Sequence, residues 1–382
     1  MKQHYDWVIV GAGFTGAVLA QQIATRLGKR VLVIDRRDHI AGNAYDEPHG
    51  DLLVHRYGPH IFHTNSKMVF DYLSQFTGWR RYHHRVLGHV DGELVPIPFN
   101  LETLDRLFPR FMADRIGQKL IDTYGFGEKV PVLKLRQSSD PEVRFIADFV
   151  YDKVFKNYTQ KQWGMRPEDL AEHVTARVPV FLSRDSRYFQ DIYQAMPAEG
   201  YTRMFQRILD HSLITVSLGT EWKDVADSLA FERVVFTGPI DEYFEYAHGA
   251  LPYRSLRFVF ADEGRSSAQP VGTVNYPNEY DFTRITDQRH LDGRLDADPT
   301  LIYEYPIAYV PGENEPYYPI PNDQTAQLLA PYRKLADQHA DRVLFAGRLG
   351  DYAYYNMDQA CARALSMFEK TIRPIYEMAQ VG

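Results

Sequence analysis

The chain has 382 residues, of which 24% are charged and 45% hydrophobic, a net charge of −7 and one cysteine. That length exceeds what one core usually serves, so two or three domains are expected. The acidic balance argues against a general binder of nucleic-acid backbones, no apolar run reaches the roughly twenty residues that span a bilayer, and Cys361 alone excludes intrachain disulfides and cysteine-cluster metal sites. A cytoplasmic protein acting on small molecules is the expectation.

The N-terminus carries the densest signal. An apolar run, Trp7-Val-Ile-Val10, is followed by Gly11-Ala-Gly13-Phe14-Thr15-Gly16, a helical stretch, and a second apolar run that ends in Asp35. This is the pattern of a dinucleotide site. Gly11 permits the tight turn, Gly13 lets backbone approach a pyrophosphate, and Gly16 lets the helix lie close on the sheet. The helix N-terminus offers free amides to the phosphates, and Asp35, about twenty residues past the last glycine, suits a ribose diol.

Two polar loops follow, Arg36 to Tyr45 and Tyr57-Gly-Pro-His60-Ile61-Phe-His63-Thr64, both able to wrap a cofactor. Residues 81–97 alternate about an Asp91-Gly92 hairpin turn. Residues 100–175 carry helical spacing. Apolar strands are predicted at 213–217 and 233–238, strand-like segments return over 250–310, and Arg342 to Gly350 reads as a last strand and glycine turn before a closing helix from Met357. Cys361 on that helix reads as packing filler. The predicted fold is therefore α/β: a discontinuous Rossmann-like FAD-binding domain (1–78, 198–245, 335–382), a small helical domain with a substrate flap (98–175), and an antiparallel sheet domain (79–97, 176–197, 246–334). Return of the nucleotide domain at the C-terminus favours FAD over NAD. His60 and His63 have metal-pair spacing, but no further ligand accompanies them, so no metal is assigned.

The glycine turn, Tyr57 to His63, Asn157-Tyr-Thr-Gln-Lys-Gln-Trp-Gly164, Arg177-Val-Pro179, Met196-Pro197, Val274-Asn-Tyr276, Pro316-Tyr-Tyr-Pro319, Gly347-Arg-Leu-Gly350 and Met357-Asp358 stand in an order and spacing that resemble the bacterial UDP-galactopyranose mutases over nearly the whole chain. The resemblance implies an isomerase that interconverts UDP-galactopyranose and UDP-galactofuranose through N5 of reduced FAD, without net redox, and supplies galactofuranose for cell-surface glycans. It also implies a homodimer and a cellular reductant that the residues do not identify.

By the same resemblance, Arg177 and Arg284 clamp the diphosphate, and Tyr318 and Tyr354 add hydroxyls. Phe155, Tyr158, Thr159, Trp163 and Asn275 serve the uridine end, with Tyr188 near the nucleotide and His63 near the flavin ring. The cofactor is held by Gly11, Gly13, Phe14, Thr15, Gly16, Asp35, Arg36, Gly42, Asn43, His60, Ile61, His63, Arg348, Tyr354, Met357 and Asp358. Arg177, Arg284 and His63 are the catalytic candidates. Guanidinium forks suit a diphosphate, and aromatic faces suit a pyrimidine. Val154, Phe181 and Asp35 depart from the family pattern, where phenylalanine, a polar residue and glutamate are expected. Two other classes share the expected fold: FAD-dependent amine-oxidase-like oxidoreductases, and flavin-free binding proteins like the Rab GDP-dissociation inhibitors.

Overall fold

A computed structural model describes residues 4–169, 179–320 and 322–378. Its centre is a parallel sheet of five strands in the order Ile214–Ser217, Val31–Ile34, His4–Val10, Ala230–Phe236, Val343–Phe345. Successive side chains of these strands point to opposite faces. Trp7, Ile9, Val31, Val33 and Val235 therefore enter one core, while Val8, Leu32, Ile34, Val234 and Phe236 enter the other. The first core is roofed by helices Phe14–Leu27, Tyr201–Leu209 and Met357–Met367. The predicted return of the nucleotide layer at the C-terminus is thus present, and Cys361 is buried within it.

The second sheet has seven strands in the order Tyr318–Pro319, Tyr253–Asp262, Thr300–Ala308, Arg284–Asp287, Thr273–Asn275, Val86–Val90, Glu93–Ile97. It is antiparallel except where Thr273–Asn275 runs parallel to Val86–Val90. Asp91 and Gly92 both take positive φ, as the predicted hairpin turn requires. Helices between 101 and 163 share one core with that hairpin through Val86, Val90, Val95 and Ile97.

Two expected boundaries are corrected. Within 176–197, the described strand Tyr193–Pro197 joins Phe62–Thr64 and Trp79–Arg81 in a separate three-stranded sheet, and Pro179–Phe181 pairs with Lys129–Pro131. Neither enters the seven-stranded sheet. The division at 334/335 falls inside a helix, Asp323–Gln338. Leu329 and Tyr332 of that helix lie in one cluster with Ile240 and Tyr352.

Candidate active site

At the carboxyl ends of the parallel strands lies a cavity of about 1060 Å³, at the upper end of the roughly 300–1000 Å³ typical of ligand pockets. Its floor is the glycine turn. Gly11 has φ of +107°, and a Cβ on Gly16 would sit 1.9 Å from the Gly11 carbonyl oxygen, so helix Phe14–Leu27 can meet the sheet only with glycine there. Asp35 closes the neighbouring strand end. Its carboxylate accepts from the amides of Ala12 (2.8 Å) and Arg37 (2.9 Å).

Of the cofactor candidates, Gly11, Gly13, Phe14, Thr15, Gly16, Asp35, Arg36, Gly42, Asn43, His60, Arg348 and Met357 line this cavity. Ile61, His63, Tyr354 and Asp358 do not. Ile61 lies in the core below. Asp358 accepts from the Thr64 hydroxyl (2.9 Å) through one oxygen, while the other is buried without a partner among the described residues. A cavity of dinucleotide size and a cradle that side chains would fill both fit a bound dinucleotide.

Across the cavity, the loop after strand Thr300–Ala308 brings Glu315 to both Arg36 (2.8 Å) and Arg37 (3.2 Å). The Arg37 guanidinium also donates to Asn43 (3.0 Å). Sequence reading passed over Glu315.

The second half of the site is written across the seven-stranded sheet. Strand register places Gly88, Asn275, Arg284, Glu304 and Phe258 in one transverse row. Arg284 donates to the Tyr158 hydroxyl (2.7 Å) and lies 3.4 Å from Glu304. Burial opposes the Arg284 charge, yet Glu304 and the surrounding tyrosines hold the guanidinium firmly protonated. Glu304 is raised by burial, with Arg284 acting in the other direction. The amide oxygen of Asn275 is buried with no partner among the described residues. Glycine at 58 is required here, since a Cβ would meet the Phe258 ring at 3.0 Å and Glu304 at 3.3 Å.

Above this row Trp163, Tyr318 and Tyr354 gather, with Tyr318 and Tyr354 stacked at 5.2 Å and Trp163 at 6.1 and 5.8 Å from them. Arg348 lies over both tyrosines, 5.3 and 5.7 Å from their centroids, and donates to the carbonyls of Tyr317 and Tyr355. It therefore joins the aromatic cluster to the cavity.

Tyr158, Thr159 and Trp163 share helix Lys156–Trp163, which continues from a π-helical turn, Tyr151–Phe155. Such turns recur at functional sites. Phe155 is not brought to the cluster; like Val154 it is buried in the helical core, with Tyr151 the ring beside it. Phe181 is likewise buried, on strand Pro179–Phe181 with Lys129 over its ring. Arg177 lies outside the described residues.

His63 stacks on Phe189 at 3.6 Å and bonds Asp191 at 3.0 Å, which holds the Asp191 carboxyl below the usual range. Tyr188 packs edge-on against Phe189 and His84. His60 and His84 are both pushed down to about 3 by burial and are neutral. Glu304, Asp191, Phe189 and His84 were missed in the sequence. Only Glu304 carried a local signal there, a carboxylate in step with Ile302 on an apolar strand. No group of three His, Cys, Asp or Glu that could hold a metal occurs among the described residues, and no helix among them is long and apolar enough to cross a membrane.

The profile of a family described as UDP-galactopyranose mutase matches residues 153–354, and that of an NAD(P)-binding Rossmann-like domain matches residues 9–76. The chain is similar to a probable UDP-galactopyranose mutase of Klebsiella pneumoniae, at 36% identity over 96% of this chain and 95% of the relative. It is also similar to a dTDP-fucopyranose mutase of Escherichia coli, at 29% identity over 96% and 98%. Among solved structures it shares its fold with a reduced UDP-galactopyranose mutase, at a TM-score of 0.67 and 17% identity over 97% and 96% of the two chains.

Proposed function

Since the chain belongs to the UDP-galactopyranose mutase family, we propose that it interconverts UDP-galactopyranose and UDP-galactofuranose without net redox, using reduced FAD. The observation that carries this reading is Arg284, a mostly buried guanidinium under tyrosine hydroxyls beside a dinucleotide cleft. A diphosphate is the natural counter-charge for such a group. In this reading Arg284 binds the diphosphate with Tyr318 and Tyr354, Arg177 completes the clamp, and Tyr158 serves the uridine end. The unpartnered Asn275 oxygen accepts from the pyrimidine edge. Trp163 and the two tyrosines keep water from a sugar that is electrophilic during the reaction.

FAD is held by the residues of the glycine turn, by Asp35 at the adenosine ribose, by Arg348 at the pyrophosphate, and by Met357 and Asp358. When bound and reduced, it supplies a nucleophilic N5 for exchange at the anomeric carbon. In this reading His63, which Asp191 and Phe189 hold in place, serves the flavin ring. The enzyme's own contribution is orientation and charge balance, which is why no acid–base dyad is required. A cytoplasmic homodimer, activated by a cellular reductant and supplying galactofuranose for cell-surface glycans, belongs to the same reading.

The test is incubation of purified protein with UDP-galactofuranose, with and without dithionite, with flavin spectra and product chromatography. UDP-galactopyranose formed only after reduction, without stoichiometric reoxidation, is the expected result. Reoxidation by an organic acceptor without isomerisation would replace it with an oxidoreductase, and a colourless protein with a binding protein. Preference for a dTDP-fucose substrate would move the reading to the sugar named for the second relative.

A further inference from the structure

Helix Lys156–Trp163 carries, besides its aromatic rings, a lysine at 161 that neither the core nor the substrate row employs. The Lys161 ammonium is half-buried and donates to the carbonyls of Tyr276 (2.6 Å), Tyr280 (2.8 Å) and Phe282 (3.3 Å). Three donors meet three acceptors, and all three acceptors lie in one turn, residues 276–282. That turn leaves the strand ending at Asn275 and enters the strand beginning at Arg284.

A second tie joins the same two pieces. Asn278 accepts from Asn157 (3.0 Å) and donates to the carbonyl of Lys153 (2.9 Å) inside the π-helical turn. On its other side the helix end is held by Arg254, which donates to the carbonyls of Lys161 and Gln162 at 3.1 Å each.

Burial works against the Lys161 charge and brings it down to about 8, although Glu279 and Asp281 of the same turn favour the charged form. An apolar side chain of equal length would fill the space without that desolvation, but it would leave three carbonyls unbonded. The lysine is therefore kept for direction rather than for packing.

We propose that Lys161 is a positioning residue for the nucleotide part of the substrate, locking the helix that bears Tyr158 onto the turn whose two ends present Asn275 and Arg284. This deepens the function proposed above and rests on it. Tyr158 and Arg284 stand on different elements, 126 residues apart in sequence, and the lock holds the spacing of their hydroxyl and guanidinium.

The experiment measures flavin content, melting temperature, UDP affinity by calorimetry and steady-state kinetics on purified flavin-loaded Lys161→Met, Lys161→Arg and Asn278→Ala. Lys161→Met is expected to keep its flavin and to weaken UDP binding and raise KM by at least about tenfold, with a much smaller change in kcat. Lys161→Arg, which keeps charge and donors, recovers part of the affinity, and Asn278→Ala shifts it in the same direction by a few-fold. If Lys161→Met does not fold, Lys161→Gln, which retains two donors, replaces it under the same expectation. UDP affinity equal to wild type in a folded Lys161 variant overturns the assignment. Wild-type protein that binds no UDP overturns the proposed function instead, so the two failures are told apart.

Discussion

Arg284 has two neighbours of opposite consequence. The Tyr158 hydroxyl takes one of its N–H groups, and Glu304 balances its charge from the next strand. A guanidinium with spare donors and a carboxylate behind it can exchange one counter-charge for a stronger one without being stranded in the protein interior. Arg284→Ala is expected to weaken UDP binding by roughly tenfold to a hundredfold while flavin content stays at the wild-type level; calorimetry and absorbance measure the two, and unaltered UDP affinity would remove the arginine from the clamp. Glu304→Ala leaves the guanidinium uncompensated, and a loss of about 3 kcal/mol in unfolding free energy is expected. The double variant should be more stable than Glu304→Ala alone, because it no longer buries a lone charge. Denaturant melts that rank the two the other way would mean that the pair is solvated.

At the scale of elements, the site is built where separate pieces of chain are tied together by side chains. The loop that follows strand Thr300–Ala308 is one such piece. Asn314 braces it through bonds to the Val310 amide (3.0 Å) and the Ala308 carbonyl (2.9 Å), and Glu315 reaches across the cavity mouth to Arg36 and Arg37. A strap held by ion pairs near the surface weakens with salt. Glu315→Gln is expected to release flavin several-fold faster than wild type at low ionic strength, with the difference shrinking toward 1 M salt as the pairs are screened. Dialysis followed by absorbance reads this directly, and equal retention at all salt concentrations would show that the strap does not gate the cofactor. The helical segment was legible as helices from its spacing. The π-helical turn within it was not, because an extra residue in one turn leaves no mark on composition, and the Asn278 bond that ties the turn down comes from 125 residues away in sequence.

For the whole molecule, histidines whose protonation burial opposes shape the pH response: His39 is lowered, as are three others. His55, His60 and His84 are each pushed down to about 3 by burial. The unfolded chain binds those protons near pH 6.5, while the native state does not bind them until about 3, so stability is full above 6.5 and falls as pH drops. The melting temperature is expected to decline already between pH 6.5 and 5, above the carboxylate range, and His84→Gln should lessen that slope; a flat profile would mean the histidines are protonated in place. The nucleotide half was legible from the chain alone: a glycine turn, its helix and its acid are local, and about thirty residues contain the pattern. The family was legible too, because many short motifs recur in order. The other half exists only in the folded chain. Asn275, Arg284 and Glu304 come from three strands and form a row through cross-strand register. His63 meets an Asp191 that lies 128 residues away. Register and long-range contact depend on how whole sheets pair and stack, and no local spacing encodes them.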